Sequence, residues 1–214
     1  MKDKDPSKKL IKDFICISHR LRQRELTFGG GGGISMRIPN SEKVLIKGWE
    51  VASEDLREED IALVDLRGRA LNEVKICLEG PLHLEVLKTR KNIRAVIHAH
   101  PPYSTALGNI RPNLKDRDLE HYPFLRQAVF TPYAEPGSDD LARFVSKPFR
   151  KEGVICVFMQ DHGVTVVGPD IYAAYHRLDF LEGASKAFVL TALLRETRTG
   201  GRSSKGMRGV LAGA

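Results

Sequence analysis

Two hydrophobic periods alternate along this chain. Over Lys9 to Arg24, Leu10, Ile11, Phe14, Ile15, Ile17 and Leu21 recur at three- and four-residue intervals with basic residues between them. That spacing predicts an amphipathic helix covering one face of a sheet. His19 falls among its polar positions and reads as a solvated side chain. Ile34 to Ile38 and Lys43 to Lys47 are short strand-like runs, paired as a hairpin across Pro39-Asn40-Ser41-Glu42. Ser53 to Leu56 reads as a turn or short helix start, Ile61 to Asp65 as a buried strand, and Arg67 to Leu71 as a turn into an extended piece reaching Cys77. Pro81 suits a first helical turn, and Leu82 to Thr89 continues it. An apolar run from Ile93 ends in His98-Ala99-His100, closed by Pro101-Pro102, which stop a strand. A helix begins over Ser104 to Leu107, whereas Asn109 to Phe124 is polar, charged and without a period.

Gln127 to Thr131 is the next strand, and Ser138 caps a helix over Asp139 to Val145. Strands over Val154 to Met159 and Val164 to Val167 flank His162. A long helix then runs from Ile171 to about Leu194, with Tyr172, Tyr175, Leu178, Leu181, Ala184 and Phe188 at helical spacing toward the core.

At 214 residues and 42% hydrophobic content, the chain can bury one core, so a single domain is expected over 1–195. Cys16, Cys77 and Cys156 are an odd number in separate apolar contexts, against a disulfide framework. No apolar run reaches the roughly 18 residues of a membrane helix, and Met1 to Asp5 lacks the apolar segment of a signal peptide. A cytoplasmic protein without a membrane partner is expected. The net charge of +7 invites a nucleic-acid reading. Residues 195 to 214, however, hold five basic residues against Glu196, a net +4 in a Gly/Ser/Arg-rich stretch expected to form a flexible tail over 196–214. The body keeps only +3 and shows no basic face interleaved with aromatics, so no specific nucleic-acid partner is expected.

The candidate chemistry starts at the strand end. Residues two apart on a strand face the same way, so His98 and His100 present both imidazoles to one site. A zinc site needs at least three protein ligands. Glu79, just before a helix, and His162, in Asp161-His162-Gly163 after a strand, are the candidates to complete it. His83, one turn past Glu79, reads as structural or as a support behind the ligands, and His176 is a secondary ligand candidate. Gly29 to Gly33 can turn several N–H groups toward one anion as a phosphate or carboxylate nest. A flexible loop is the competing reading. No Gly-Lys-Ser/Thr follows, so it is not a P-loop, and the dinucleotide spacing fails.

With Gly32-Gly33-Ile34-Ser35, Glu79, His98-Ala99-His100 and Asp161-His162-Gly163 in hand, the chain resembles the class II aldolase/adducin family from about residue 8 to 195. The resemblance implies a three-layer α/β/α sandwich with a mostly antiparallel central sheet, assembled as a homotetramer. It implies Zn2+ or another divalent metal on His98, His100 and His162, with Glu79 as a further ligand or as the group that moves protons. The implied activity is a zinc-dependent carbon–carbon lyase cleaving a small ketose or ketose phosphate through a metal-stabilised enediolate. Tyr122, with Tyr103 as second choice, is the implied acid or base toward the aldehyde half, acting across a subunit boundary. Gly32, Gly33, Lys47 and Gly48 are the implied substrate-binding set. The family's phosphate-binding aldolases carry an asparagine after the loop glycine and hydroxyl residues before the glutamate, where this chain has Gly33 and Cys77-Leu78. That departure keeps open a metal-dependent decarboxylase or a sugar-phosphate epimerase. A metal-free adducin-like interaction domain is the alternative from outside enzymology.

Overall fold

The computed structural model describes residues 5–111 and 128–199. Helix α1 (Lys8–Gln23) is capped by Ser7, whose side chain accepts from the Leu10 N–H. It buries Phe14, Ile17 and Leu21 completely or nearly so, each contributing about 1.5–3 kcal/mol by leaving water. His19 departs from expectation: its Nε2 lies 3.0 Å from the Leu56 carbonyl, so it ties α1 to the loop after β2. The reason is geometric, since the polar flank of α1 faces the Ser53–Leu56 turn, whose Ser53 carbonyl also accepts from Ser18.

The strands are β1 (Gly33–Arg37), β2 (Lys43–Lys47), β3 (Ile61–Asp65), β4 (Ala95–Ala99), β5 (Val129–Thr131), β6 (Cys156–Met159) and β7 (Gly163–Gly168). They form one sheet in the order β3-β2-β1-β4-β7-β6-β5. Every neighbouring pair is antiparallel except β5 and β6, which run parallel. The expected extended piece before Cys77 forms only isolated bridges, Gly48 to Ile76 and Val64 to Ala70.

Among the described residues the further α-helices are α2 (Gly80–Thr89), α3 (Pro102–Ile110), α4 (Asp139–Ser146) and α5 (Ile171–Thr199), with short 3-10 turns at Glu58–Asp60 and Lys147–Arg150. Ser138 caps α4 by accepting from the Leu141 N–H. The strand pleat divides the core in two. Ala95, Ile97 and Ala99 of β4 join Phe14, Leu107 and Leu178 in one cluster. Val96 joins Leu82, Val86, Leu141 and Phe149 in the other. β4 therefore lies mid-sheet and is buried along its whole length, and whatever its ends carry is held by packing on both faces. No helix among the described residues is long and apolar enough to cross a membrane.

Candidate metal centre

β4 carries His98 at its end, in register with Gly33 of β1 and Thr165 of β7. The strand stops at Ala99, so His100 lies one residue beyond it, with its N–H on the Leu26 carbonyl. His162 sits in the tight turn between β6 and β7, after Asp161 in a left-handed conformation (φ 53°). Gly163 is required there, because a Cβ would collide with the Ala99 carbonyl and stand 2.7 Å from His100 Cδ2. Glu79 is the residue at the N-terminus of α2, where the helix dipole favours a carboxylate.

These four side chains converge. The ligand atoms of His98, His100 and His162 lie within 4.8 Å of one another, and the ring centroids are 4.7, 4.8 and 5.2 Å apart. Glu79 reaches His162 Nε2 with one oxygen at 3.3 Å and His98 Nε2 with the other at 3.8 Å. The tautomer of His98 follows from its neighbour. Its Nδ1 lies 3.0 Å from the Val164 carbonyl, and a carbonyl only accepts, so Nδ1 carries the proton and Nε2 is a bare lone pair.

That Nε2 is fully buried without a hydrogen-bond partner. Burial, with His100 next, pushes His98 well below the usual imidazole range, and burial together with His162 lowers His100 to about 4. Burial works to raise Glu79, but the hydrogen bond from His162 and the imidazoles around it outweigh burial and hold it at about 2. A neutral lone pair and an ionised carboxylate thus face each other across 3.8 Å. A divalent cation held by these residues would satisfy both, and three imidazoles with one carboxylate are a zinc-type donor set.

The glycine loop closes one side of the centre. Gly32 has φ 71°, and a Cβ there would stand 2.7 Å from the His98 carbonyl. Lys47 is buried, and its Nζ donates to the Gly30 and Gly31 carbonyls at 2.9 and 3.2 Å. Burial lowers its pKa, against the pull of Cys77 and Glu79. Gly48 donates its N–H to the Asp60 carbonyl at 2.9 Å. Cys77 packs beside this loop, its thiol pushed up to about 12 by burial, so it stays protonated. His83 explains why residue 33 is a glycine. The ring is fully buried with Nδ1 2.8 Å from Ser35 Oγ, and its Nε2 would stand 2.5 Å from any Cβ on Gly33.

Tyr103 lies on α3, its N–H on Glu182 and Lys186 Nζ 5.4 Å from its ring. Tyr122 lies outside the described residues. His176 is exposed on α5 and is not part of the histidine group. Two supports escaped sequence reasoning. Glu182 accepts from the Tyr103 and Ser104 N–H groups at the start of α3, and Asn109 at its end accepts from the Asp161 N–H at 2.9 Å. Neither lies in a motif, so only tertiary structure reveals them.

The family model for the class II aldolase and adducin N-terminal domain matches residues 12–189. The chain belongs to that family. An L-fuculose phosphate aldolase of Methanocaldococcus jannaschii is 32% identical over 185 residues, covering 86% of this chain and 98% of the relative. A 3-oxo-tetronate 4-phosphate decarboxylase of Haemophilus influenzae is 29% identical and covers 81% of this chain and 84% of its own. The solved structure of an L-fuculose 1-phosphate aldolase superposes with a TM-score of 0.77 at 25% identity, over 88% of each chain. The seven-stranded mixed sheet and its helices are thus the class II aldolase fold.

Proposed function

We propose that this class II aldolase family member is a zinc-dependent carbon–carbon lyase cleaving a small ketose or ketose phosphate. The observation that carries the reading is the bare, buried Nε2 of His98 opposite the Glu79 carboxylate, with His100 and His162 alongside. His98, His100 and His162 would hold zinc or another divalent ion, with Glu79 completing the set. The bound ion supplies Lewis-acid withdrawal of electrons from a substrate carbonyl oxygen. Glu79, ionised at neutral pH, takes and returns the proton at the substrate carbon beside that carbonyl.

Gly32, Gly33, Lys47 and Gly48 shape the substrate side. Lys47 draws the Gly31 carbonyl to itself, so in a planar trans peptide the Gly32 N–H points the other way. That donor is the loop's contribution to binding a substrate anion. Tyr122, or Tyr103 in its place, serves the aldehyde half across a subunit boundary in a homotetramer, a role supported by family resemblance alone. The same reading takes the two apolar clusters as the two interfaces of a three-layer sandwich, counts 196–214 as a tail, and assigns the protein to the cytoplasm.

A second reading, decarboxylation, is favoured by the Haemophilus relative. One assay separates the two. Purified protein supplied with L-fuculose 1-phosphate and, separately, a 3-oxo sugar-acid phosphate is followed for aldehyde and carbon dioxide. Zinc-dependent aldehyde release supports the lyase; carbon dioxide alone replaces it with the decarboxylase, and neither product from a panel of ketoses and oxo acids removes both.

A further inference from the structure

α5 is apolar on two opposite sides. Its inner stripe, Ile171, Ala174, Tyr175, Leu178, Leu181 and Ala184, is buried in the core. Its outer stripe, Phe180, Gly183, Ala187, Leu190 and Leu194, recurs at three- and four-residue intervals on the far side, with Leu193 on its flank. Phe180 is 44% exposed, Leu190 42%, Leu193 53% and Leu194 65%. Large apolar side chains exposed singly are ordinary on a surface, whereas four along about 21 Å of one helix mark a face that another element covers.

Gly183 sits inside this 29-residue helix, where glycine costs stability relative to alanine. Among the described residues nothing requires it, because a Cβ added there would meet no heavy atom within 4 Å. A close approach from outside the chain would require it. Beside Gly183 a groove of about 270 Å³ runs between Leu26, Pro102 and Tyr103, with room for a side chain of an incoming element. Asp179, Glu182 and Lys186 line the same groove, so its rim is mixed in sign. An anionic lipid surface calls for a basic rim, whereas a mixed rim suits protein.

We propose that the outer face of α5 is a docking surface for a second copy of this chain, packed antiparallel across a two-fold axis. The occupant follows from the order of side-chain sizes. Phe180, Gly183, Ala187 and Leu190 read large, small, small, large, and the order is kept when the stripe is reversed about residue 185. An antiparallel pair therefore sets Gly183 of one copy against Ala187 of the other, where the axes can approach closely, and Phe180 against Leu190 at both ends. In that register Lys186 falls within one turn of Glu182 of the second copy, and no like charges stand directly opposite. The homotetramer named above rests on resemblance; this contact is read from α5 alone and does not depend on the lyase reading.

The test is the mass of the full chain in solution, measured by sedimentation across a dilution series for wild type, Leu190→Glu and Gly183→Leu. Gly183→Leu meets open space within the single chain and replaces a poor helix former by a good one. Its helix content by circular dichroism should equal or exceed that of wild type while its side chain holds the second helix away, so its result stands even if Leu190→Glu unfolds. The wild-type mass is expected to halve in both variants at the same concentration, with the association constant weakened at least about tenfold. Unchanged mass in the folded Gly183→Leu variant, or a wild type that stays a single chain throughout the series, would overturn the proposal. Flotation with phosphatidylserine vesicles that carries wild type and leaves Leu190→Glu behind would overturn it as well, by assigning the face to lipid.

Discussion

At the scale of single residues, the proposed metal centre rests on one forced tautomer. Because the Val164 carbonyl can only accept, His98 must offer its lone pair inward, toward Glu79 and two more imidazoles. Replacing His98 or His162 by Ala should release the metal and lower turnover to background, checked by metal analysis and the aldehyde assay together. Glu79→Gln should keep most of the metal yet lose roughly 10²–10⁴-fold in proton exchange at the substrate carbon. Full turnover in that variant would show that the carboxylate moves no proton.

The pH response of the metal-free protein follows from the same burial. His83 and His100 have folded values of about 4 against an ordinary 6.5, so between those limits the unfolded chain binds more protons. Stability should therefore be complete above about pH 6.5 and fall as pH drops toward 4. Urea titrations at a series of pH values check this, and a flat profile would contradict neutral buried imidazoles. The alternation of His98 and His100 was legible in the sequence because a strand's period is two. Glu79 and His162 were legible only as candidates that family resemblance supports, and the filling of the Gly33 space by His83 was not legible, since it joins residues 50 apart that no local pattern links.

Among the elements, α3 is the brace of the site. Its first turn is held to α5 by Glu182, directly after His100, and its end holds the turn carrying His162 through Asn109. One short helix thus ties two of the proposed ligands, His100 and His162, from opposite sides of β7. Asn109→Leu should weaken cobalt binding about tenfold, the scale of lost outer supports at metal sites. Asn109→Asp, whose carboxylate still accepts from the Asp161 N–H, should retain it. Equal affinity in both variants would leave α3 no positioning role. The hydrophobic periods and their Pro, Gly or capping boundaries anticipated the described α-helices and strands, but not the short 3-10 helices Glu58–Asp60 and Lys147–Arg150 or the continuation of α5 from Leu194 to Thr199. They could not anticipate which strands pair, such as the parallel β5 and β6, or that residues 67–77 form only bridges, because pairing is decided by neighbours distant in sequence.

For the whole molecule, the sheet order explains why the chemistry sits where it does. β4 runs between β1 and β7, so the glycine loop before β1, the histidines ending β4 and the turn before β7 meet at one end of the central three strands. The apolar packing behind them keeps that end rigid, and Phe158→Ala, which empties a fully buried position between β6 and the helices, should cost about 3–5 kcal/mol in chemical unfolding. Loss of metal affinity in that variant should track loss of folded protein and not precede it.

Zinc stoichiometry measured on the intact protein after dialysis against the metal, beside a variant with His98, His100 and His162 all changed to Ala, bears on the centre most directly. About one zinc per chain in the first and none in the second is the predicted result. Equal zinc in the two proteins, or none retained by the intact one, would contradict it.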